Sequence, residues 1–293
     1  MKVFCGIVQT LKNCIPDKIF LKIQYYRYFS RQLCLKKPEL FSDKMFWLKL
    51  YDRKEIYHIF VDKINCKKYL ENLLGKNYCV PTLGIYNCFE EIKWEALPKS
   101  FVLKATHDSG SYYIVKDKRK LDLRDCKNHL YLHWKKDYYK YNREWQYKGL
   151  ESRIIAEPLL AEPKDLREYK FFCFNGEPKI YQTCYDRDNS LGGAVLNFYD
   201  LDGKHLDMHD AGHARLSDKE LPPPKNMNKM LELCRIISKD TYFLRVDFFE
   251  VDSEFYIGEL TLHENAGFVE FYPYEWNKIL GDWIKLGVEK NFN

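Results

Sequence analysis

The sequence lacks the cysteine spacing of metal and redox sites. Its ten cysteines are scattered, and no two of them form a C-x-x-C pair, so no zinc spacing is present. Cys173 stands inside the apolar run 171–174, where a reduced thiol serves as a small hydrophobic side chain. We therefore predict a cytoplasmic protein whose cysteines are reduced.

Long apolar runs are missing as well. No run approaches the length of a membrane span, and the stretch at 3–8 is too short for the apolar core of a signal peptide. Residues 15–29 place Ile19, Ile23 and Tyr26 among lysines. This segment predicts a helix that either lies at the inner face of a membrane, as a peripheral contact, or packs on its own domain.

The sequence also lacks a concentrated positive charge. The net charge is only +5 over 293 residues, and lysines and acids alternate along the chain. This argues against a nucleic-acid partner and fits an anionic small-molecule substrate. Hydrophobic residues make up 46% and charged residues 30%, as is typical of a soluble globular protein. A chain of this length predicts two or three subdomains around a shared core.

No phosphate-binding loop of the G-x-x-x-x-G-K-[ST] type is present. Instead, a predicted strand over 101–104 ends in Lys104, and a small, polar loop over 106–111 leads into a second strand over 112–116. The backbone N–H groups of such a loop, with a lysine beside it, can wrap a polyphosphate. The alternative is an ordinary turn that joins two strands.

Two segments near the end of the chain, 244–250 and 255–261, are rich in aromatic and β-branched residues and predict a β-hairpin. Each segment carries a carboxylate among apolar neighbours. Because side chains alternate along a strand, Arg245 and Asp247 share one face.

The register of this hairpin decides what its charges do. A three-residue turn over 252–254, or a bulge with the same effect, sets Asp247 opposite Glu259 and Arg245 opposite Thr261. Like charges opposite each other destabilise a hairpin, so we expect a divalent cation between the two carboxylates. The alternative is an amphipathic hairpin whose charged face is solvated.

The remaining periodicity completes an α+β pattern. Asn175-Gly176 is the strongest hairpin turn in the chain, Ser42 or Asp43 is the expected N-cap of the first long helical stretch, and Pro158 marks a hinge. The predicted helices cover 42–75, 122–148, 228–239 and 274–288, and further strands cover 78–86, 153–160, 169–174, 178–184 and 195–199.

The order of these features resembles the nucleotide site of the ATP-grasp superfamily. It is most similar to the TupA-like branch, which is named for teichuronopeptide synthesis. The resemblance extends over roughly residues 40–287 and rests on several sequence blocks together. These blocks are 62–63, 101–104 with His107 and 109–110, 144–147, 153–157, 169–176, 245–248 and 258–261.

The resemblance implies an α+β ATP-grasp fold, in which two α+β subdomains clasp ATP next to a helical N-terminal region. The implied boundaries are 1–95 for the helical region, 96–160 for the small subdomain with its phosphate lid, and 161–293 for the large subdomain with the metal site.

The resemblance also implies a role for individual residues toward ATP and Mg²⁺. By analogy, the ATP-binding residues are Lys63 and Lys104 on the phosphates, His107, Ser109, Gly110 and Ser111 in the lid, Glu157 and Leu160 at the adenine, and Glu168 at the ribose. By the same analogy, Arg245 and Lys170 act beside the triphosphate, and Asp247, Glu259 and Thr261 occupy the metal positions.

Several of these assignments have alternatives. Lys63 is otherwise a helix-surface lysine, and Glu168 is otherwise part of a surface ion pair. The superfamily usually has Glu-x-Asn at the metal, whereas this chain has Thr261 at the last position. Asn265 either replaces that ligand or caps a turn, and the adjoining residues 263–264 either face the substrates or lie in solvent.

The activity implied by the resemblance is ATP-dependent carboxylate–amine ligation. An acyl phosphate forms at a carboxylate, and an amine attacks it to give an amide. The carboxylate would belong to a uronic acid of a capsule, O-antigen or teichuronopeptide precursor, and the amine would be an amino acid or another small amine. Two alternatives stay open: a sugar kinase that uses the same ATP site, and a nucleotide-binding scaffold without turnover.

Overall fold

The structure is a computed structural model that describes residues 15–188, 193–210 and 221–287. Its helices are α1 (Asp17–Phe29), α2 (Phe41–Tyr51), α3 (Ile56–Val61), α4 (Lys63–Leu74), α5 (Leu123–Trp134), α6 (Tyr138–Asn142), α7 (Met227–Ser238) and α8 (Glu275–Trp283). Its strands are β1 (Gly84–Tyr86), β2 (Phe101–Ala105), β3 (Tyr112–Val115), β4 (Ile154–Pro158), β5 (Arg167–Phe174), β6 (Glu177–Asp188), β7 (Gly193–Asp200), β8 (His209–Asp210), β9 (Phe243–Val251), β10 (Glu254–Thr261) and β11 (Phe271–Tyr272).

The smaller of the two main sheets has the order β1-β4-β2-β3, and all of its strands pair antiparallel. Cys126 and Leu130 of α5 belong to the apolar cluster of this sheet. The predicted strand over 78–86 is wrong except at its end, because only Gly84–Tyr86 pairs with β4. Cys79 instead forms an isolated parallel bridge to Ile257 of β10, and Pro81, which has no N–H to donate, lies between the two pairings.

The larger sheet has the order β10-β9-β5-β6-β7. Its central strand β5 is buried on both faces, which explains its unbroken apolar sequence. Tyr169, Phe171 and Cys173 pack with α7 on one side, whereas Phe172 and Phe174 pack with α2 and α8 on the other. The strands flanking the Asn175-Gly176 turn pair antiparallel, as predicted. Both turn residues have positive φ, 48° and 86°, as a two-residue hairpin turn requires.

The predicted helical stretch over 42–75 divides into three helices. Asp52 and Asp62 both leave the helical conformation, with ψ values of 83° and 110°. The Asp62 carboxylate accepts hydrogen bonds from the N–H groups of Ile64 and Asn65, at 2.9 and 2.8 Å. This capping satisfies the first donors of α4 and favours a new helix over continuation of the old one.

The N-cap of α2 is Leu40, so the expectation of Ser42 or Asp43 is wrong by a few residues. Asp43 instead occupies the third position of the helix, where its carboxylate accepts from the Leu40 N–H at 3.2 Å. The helix predicted over 15–29 is confirmed as α1, and Tyr25 packs edge-on against Phe46 of α2 at 5.0 Å. Within the described residues no helix combines the length and apolarity needed to cross a membrane.

The other predicted helices form with different bounds. The stretch 122–148 becomes α5, α6 and a short 3-10 turn over Trp145–Tyr147, and the last helix ends at Trp283 rather than near 288. The domain boundaries at 95/96 and 160/161 stay predictions, although β1 already joins the smaller sheet before residue 95.

Lys49 on α2 lies in the core, only 1% exposed. Its Nζ donates to the Asn142 carbonyl at 3.0 Å and lies 4.5 Å from the ring centroid of Phe46. Burial lowers the pKa of Lys49 to about 8, opposed by Glu144. The folded protein therefore carries a charge that would be better solvated in the unfolded chain.

We expect Lys49→Met to raise the free energy of unfolding at pH 7 by about 1–2 kcal/mol, because it removes the buried charge but also a hydrogen bond. Since the folded-state pKa is depressed, the native protein gains stability as pH rises from about 8 to about 10.5. The variant should lack this gain. Denaturant titrations at several pH values test both effects, with Lys68→Met on the exposed face of α4 as control. A loss of stability in Lys49→Met would contradict the prediction.

Candidate active site

A cavity of about 590 Å³ is lined by residues of both main sheets and of α4. Its wall combines apolar side chains with a concentrated set of charges. The predicted site residues that line it are Lys63, Lys104, Ser109, Gly110, Ser111, Glu157, Leu160, Glu168, Lys170, Arg245 and Glu259. Three predicted residues do not line it, namely His107, Asp247 and Thr261.

Glu157, at the hinge end of β4, is held by two lysines. Lys104 of β2 donates to one carboxylate oxygen at 2.5 Å, and Lys67 of α4 donates to the other. Burial by itself would raise the pKa of Glu157, which is 4% exposed, but Lys104 and Lys67 outweigh it and lower the pKa. The Glu157 carboxylate thus fixes the positions of the Lys67 and Lys104 ammonium groups at the cavity wall.

Lys67 did not emerge from the sequence. The available signal was its spacing of four residues from Lys63, which places both lysines on one face of a helix. Lys67 also donates to the Val80 carbonyl at 2.6 Å, so its side chain is held by both β4 and the segment before β1.

Lys63 is the first residue of α4 and is directed into the cavity by the Asp62 cap. Its Nζ donates to the backbone carbonyl of Asp108, in the loop after β2, and lies 3.8 Å from the Asp108 carboxylate. Burial lowers the pKa of Lys63. These contacts distinguish it from an ordinary surface lysine.

The buried carboxylate of Asp108, which is 1% exposed, holds the loop over 107–111 in place. It accepts from the Ser111 hydroxyl and contacts the Nδ1 of His133 at 2.9 Å. Gly110, with φ of 87°, lines the cavity with Ser109 and Ser111. His107 instead lies against Trp134 and away from the cavity, and it is 4% exposed.

The turn of the β9–β10 hairpin has two residues rather than the predicted three. Asp252 and Ser253 both have positive φ, 50° and 74°, and Val251 pairs with Glu254. Such a turn matches the twist of the flanking strands. The prediction of a three-residue turn is therefore wrong.

A β-bulge at Gly258 nevertheless restores the predicted register. Ile257 pairs with Phe248, Gly258 is the extra residue, and Glu259 pairs with Asp247. With a two-residue turn and no bulge, Glu259 would face the other side of the sheet. The pairing of Asp247 with Glu259 is thus confirmed, as is that of Arg245 with Thr261.

The bulge has a steric requirement for glycine, because a Cβ on Gly258 would lie 2.5 Å from the ring of Phe249. We expect Gly258→Ala to lower the free energy of unfolding by about 1–3 kcal/mol as the ring shifts. Denaturant titration of this variant measures the loss. Adding Phe249→Leu to Gly258→Ala should recover part of it; equal stability of Gly258→Ala and the natural protein would show that the bulge tolerates a side chain.

Asp247 is fully buried and held by cations. Arg245 makes two parallel hydrogen bonds to it, Nε to Oδ1 and Nη2 to Oδ2, both at 2.7 Å. Lys170 of β5 lies 3.7 Å from Asp247 and 3.5 Å from Glu168. Burial raises the pKa of Asp247 to about 6 against the pull of Arg245 and Lys170.

Glu264 is a second partner of Arg245 that the sequence suggested only loosely. It is 6% exposed, lines the cavity and accepts from Arg245 Nη1 at 2.5 Å. Burial lowers the pKa of Arg245, but Asp247 and Glu264 outweigh burial and raise it well above its usual value. The guanidinium is therefore permanently charged and clamped between two carboxylates.

Both alternatives for His263 are wrong, because its side chain neither lines the cavity nor lies in solvent. His263 is buried and contacts Gln146 at 3.0 Å, so it does not face the cavity. Asn265 lines the cavity and donates to Asp210 at 3.0 Å. Positive φ values at Asn265, Ala266 and Gly267, between 44° and 82°, mark a tight turn that fixes Glu264.

One carboxylate that lines the cavity has no partner among the described residues. The Glu259 carboxylate makes no hydrogen bond or ion pair with the other described residues, although Glu259 lines the cavity. The Thr261 hydroxyl is buried, and none of the described residues hydrogen-bonds to it. No group of three or more His, Cys, Asp or Glu side chains converges there. This donor set fits a cation held by few protein oxygens together with ligand oxygens, as Mg²⁺ is.

Two antiparallel sheets enclose a cavity, with Lys104 on the smaller sheet, Lys63 and Lys67 on α4 and an acidic hairpin on the larger sheet, and this is the arrangement of the ATP-grasp fold. Within that class, the chain belongs to the TupA-like ATP-grasp family, whose sequence profile matches residues 43–285. The α+β ATP-grasp prediction is thereby confirmed. No curated protein matches the chain.

Solved structures with a similar fold include D-alanine–D-alanine ligases. The Bacillus anthracis enzyme in complex with ATP is 16% identical, with 70% of this chain and 54% of that chain covered and a TM-score of 0.41. The Helicobacter pylori enzyme is 14% identical, with coverages of 84% and 69% and a TM-score of 0.46. A Campylobacter jejuni biotin carboxylase is 12% identical, with coverages of 78% and 46% and a TM-score of 0.47. The chain thus spans about half to two thirds of these proteins, and the likeness concerns the fold alone.

Proposed function

We propose that the cavity binds ATP with Mg²⁺ and that the protein is an ATP-dependent carboxylate–amine ligase. The observation that carries the proposal is the arrangement of charge around one cavity. Lys63, Lys67, Lys104 and Glu259 all line it, and among the described residues the Glu259 carboxylate has no hydrogen bond or ion pair. A volume of about 590 Å³ is within the usual range for small-molecule and cofactor sites.

The nucleotide would be held along its length by the residues already described. Lys63 and Lys104 would contact the phosphates, and the lid residues 109–111 would supply backbone N–H donors. Leu160 and the hinge backbone would contact adenine, because the Glu157 side chain is occupied by its lysines. Glu168 would accept from the ribose hydroxyls.

Glu259 and Asp247 would hold Mg²⁺, and Thr261 would reach it through water. When bound, Mg²⁺ supplies neutralisation of the phosphate charge that opposes an anionic nucleophile. The buried carboxylate of Asp247 would first have to exchange part of its contact with Arg245.

Arg245 and Lys170 provide the fixed positive charge next to the reacting groups. Glu264 keeps its own contact with Arg245 Nη1, so the guanidinium stays in place when Asp247 is engaged elsewhere. Donors that are held in advance stabilise a developing oxyanion without reorganisation. The lid over 107–111 would exclude water from the site.

The finer substrate proposal is a uronic acid carboxylate of a surface-polysaccharide precursor and an amino acid or small amine. It is supported by the family to which the chain belongs. Fold does not determine substrate, so the reaction product has to decide.

The test is a screen for ADP release by the full chain with Mg²⁺, ATP, free or UDP-linked uronic acids and a panel of amines. Mass spectrometry identifies the product, and a chelator control removes the metal. An amide with ADP supports the ligase. A phosphate ester as the product would instead identify the protein as a sugar kinase. Absence of ADP from every mixture would favour a nucleotide-binding scaffold.

A further inference from the structure

Helix α1 exposes a stripe of large apolar side chains. Ile19, Ile23 and Tyr26 are 52%, 48% and 58% exposed. Their spacing of four and three residues places them on one face, since a helix advances about 100° per residue. The opposite face carries Leu21 and Tyr25, which are buried against the rest of the protein.

Cations border this stripe on both sides. Lys18 and Lys22 lie on one flank and Arg27 on the other, by the same helical geometry. All three are exposed, and among the described residues none of them has an ion pair. The stripe is therefore an apolar centre within a cationic border.

The single acidic residue of α1 does not neutralise the positive charge of that border. Asp17 points away from the stripe, where it accepts from Arg53 at 2.7 Å and from the Tyr139 hydroxyl. A partner surface must therefore combine negative charge with an apolar layer.

We infer that α1 docks on an anionic lipid bilayer, in the plane of the membrane surface. Ile19, Ile23 and Tyr26 enter the boundary between headgroups and acyl chains, and the cations contact lipid phosphates. A Tyr at this depth keeps its hydroxyl at the headgroups. The site is separate from the cavity, so it neither requires nor tests the ligase activity.

Charge complementarity favours a bilayer over a second copy of the chain. In a two-fold symmetric dimer the same patch meets itself, which would bring Lys18, Lys22 and Arg27 close to their own counterparts. Anionic lipid supplies the opposite charge around an apolar layer. With three cations at the surface, we expect about 100-fold tighter binding to anionic than to neutral vesicles.

The experiment is flotation of the full chain with vesicles of phosphatidylcholine alone or of equal parts phosphatidylcholine and phosphatidylglycerol. The natural protein should float with the anionic vesicles, and less so as salt rises. The triple change Ile19→Ser, Ile23→Ser and Tyr26→Ser should weaken flotation about 10-fold or more, as should Lys18→Glu with Lys22→Glu.

Controls alter matched residues elsewhere on the surface. Leu132→Ser changes an apolar side chain that is 69% exposed on α5, and Lys68→Glu changes an exposed lysine on α4. Both should float like the natural protein, and all variants should unfold at the same temperature. Equal flotation with neutral and anionic vesicles would overturn the inference. So would a dimer, observed without lipid, that the α1 variants dissociate.

Discussion

Replacing Glu259 with Gln is expected to lower ATP-dependent ADP release by about 10²–10⁴-fold, once a substrate pair has been identified. Glu259 lines the cavity and has no cationic partner in the described part of the chain. The change therefore removes the charge that we propose holds Mg²⁺ and leaves the ion pairs of the described residues intact.

This separation makes Glu259 a better test than Asp247. Asp247→Asn would also break the bidentate contact with Arg245, which is buried. Loss of activity in that variant could then reflect a loss of folding. Glu259→Gln should leave the unfolding temperature within a few degrees of the natural value, whereas Asp247→Asn should lower it clearly.

The matched control for Glu259→Gln is Glu254→Gln, an exposed carboxylate on the same strand. It should retain full activity. The Mg²⁺ concentration at half-maximal ADP release should rise in Glu259→Gln and stay unchanged in the control. Full activity of Glu259→Gln at the natural Mg²⁺ requirement would refute the metal assignment.

Replacing both lysines that contact Glu157, in the double variant Lys67→Met with Lys104→Met, is expected to lower the free energy of unfolding by about 3–5 kcal/mol. Glu157 is 4% exposed and receives one lysine on each oxygen. Lys67→Met or Lys104→Met alone leaves one cation in place, so each should cost clearly less than the pair. The double variant leaves a buried carboxylate without a counter-charge.

The compensating change separates charge from packing. Adding Glu157→Gln to the double lysine variant should recover most of the loss, because a neutral amide needs no counter-charge. Lys116→Met, whose pair with Glu162 is exposed, should cost less than about 1 kcal/mol. Denaturant titrations measure the series. A double variant no less stable than Lys116→Met would show that the three charges are solvated.

Local sequence signals were sufficient where the structure depends on neighbouring residues. The Asn175-Gly176 turn, the amphipathic helix over 15–29 and the strands that flank the 106–111 loop follow from turn chemistry and periodicity. The family followed from the order of several motifs, and the profile match over 43–285 confirmed it.

Helix ends were less predictable because they depend on side-chain capping that competes with helix continuation. The single helical stretch expected from Ser42 divides where Asp62 turns its carboxylate to the N–H groups ahead of it. The periodic apolar pattern continues through such a break, because α2 and α4 each bury apolar side chains in the core.

What the sequence determined by itself is that Asp247 and Glu259 belong to one hairpin, with a lysine-bearing strand and a polar loop earlier in the chain. What the tertiary structure decided is how they meet. The bulge at Gly258 gives Glu259 its face of the sheet, and Arg245 covers Asp247. Lys67 joins Lys104 on Glu157. Register, burial and ion pairing depend on residues far apart in the chain, because only the packed sheets set the distances over which charges interact.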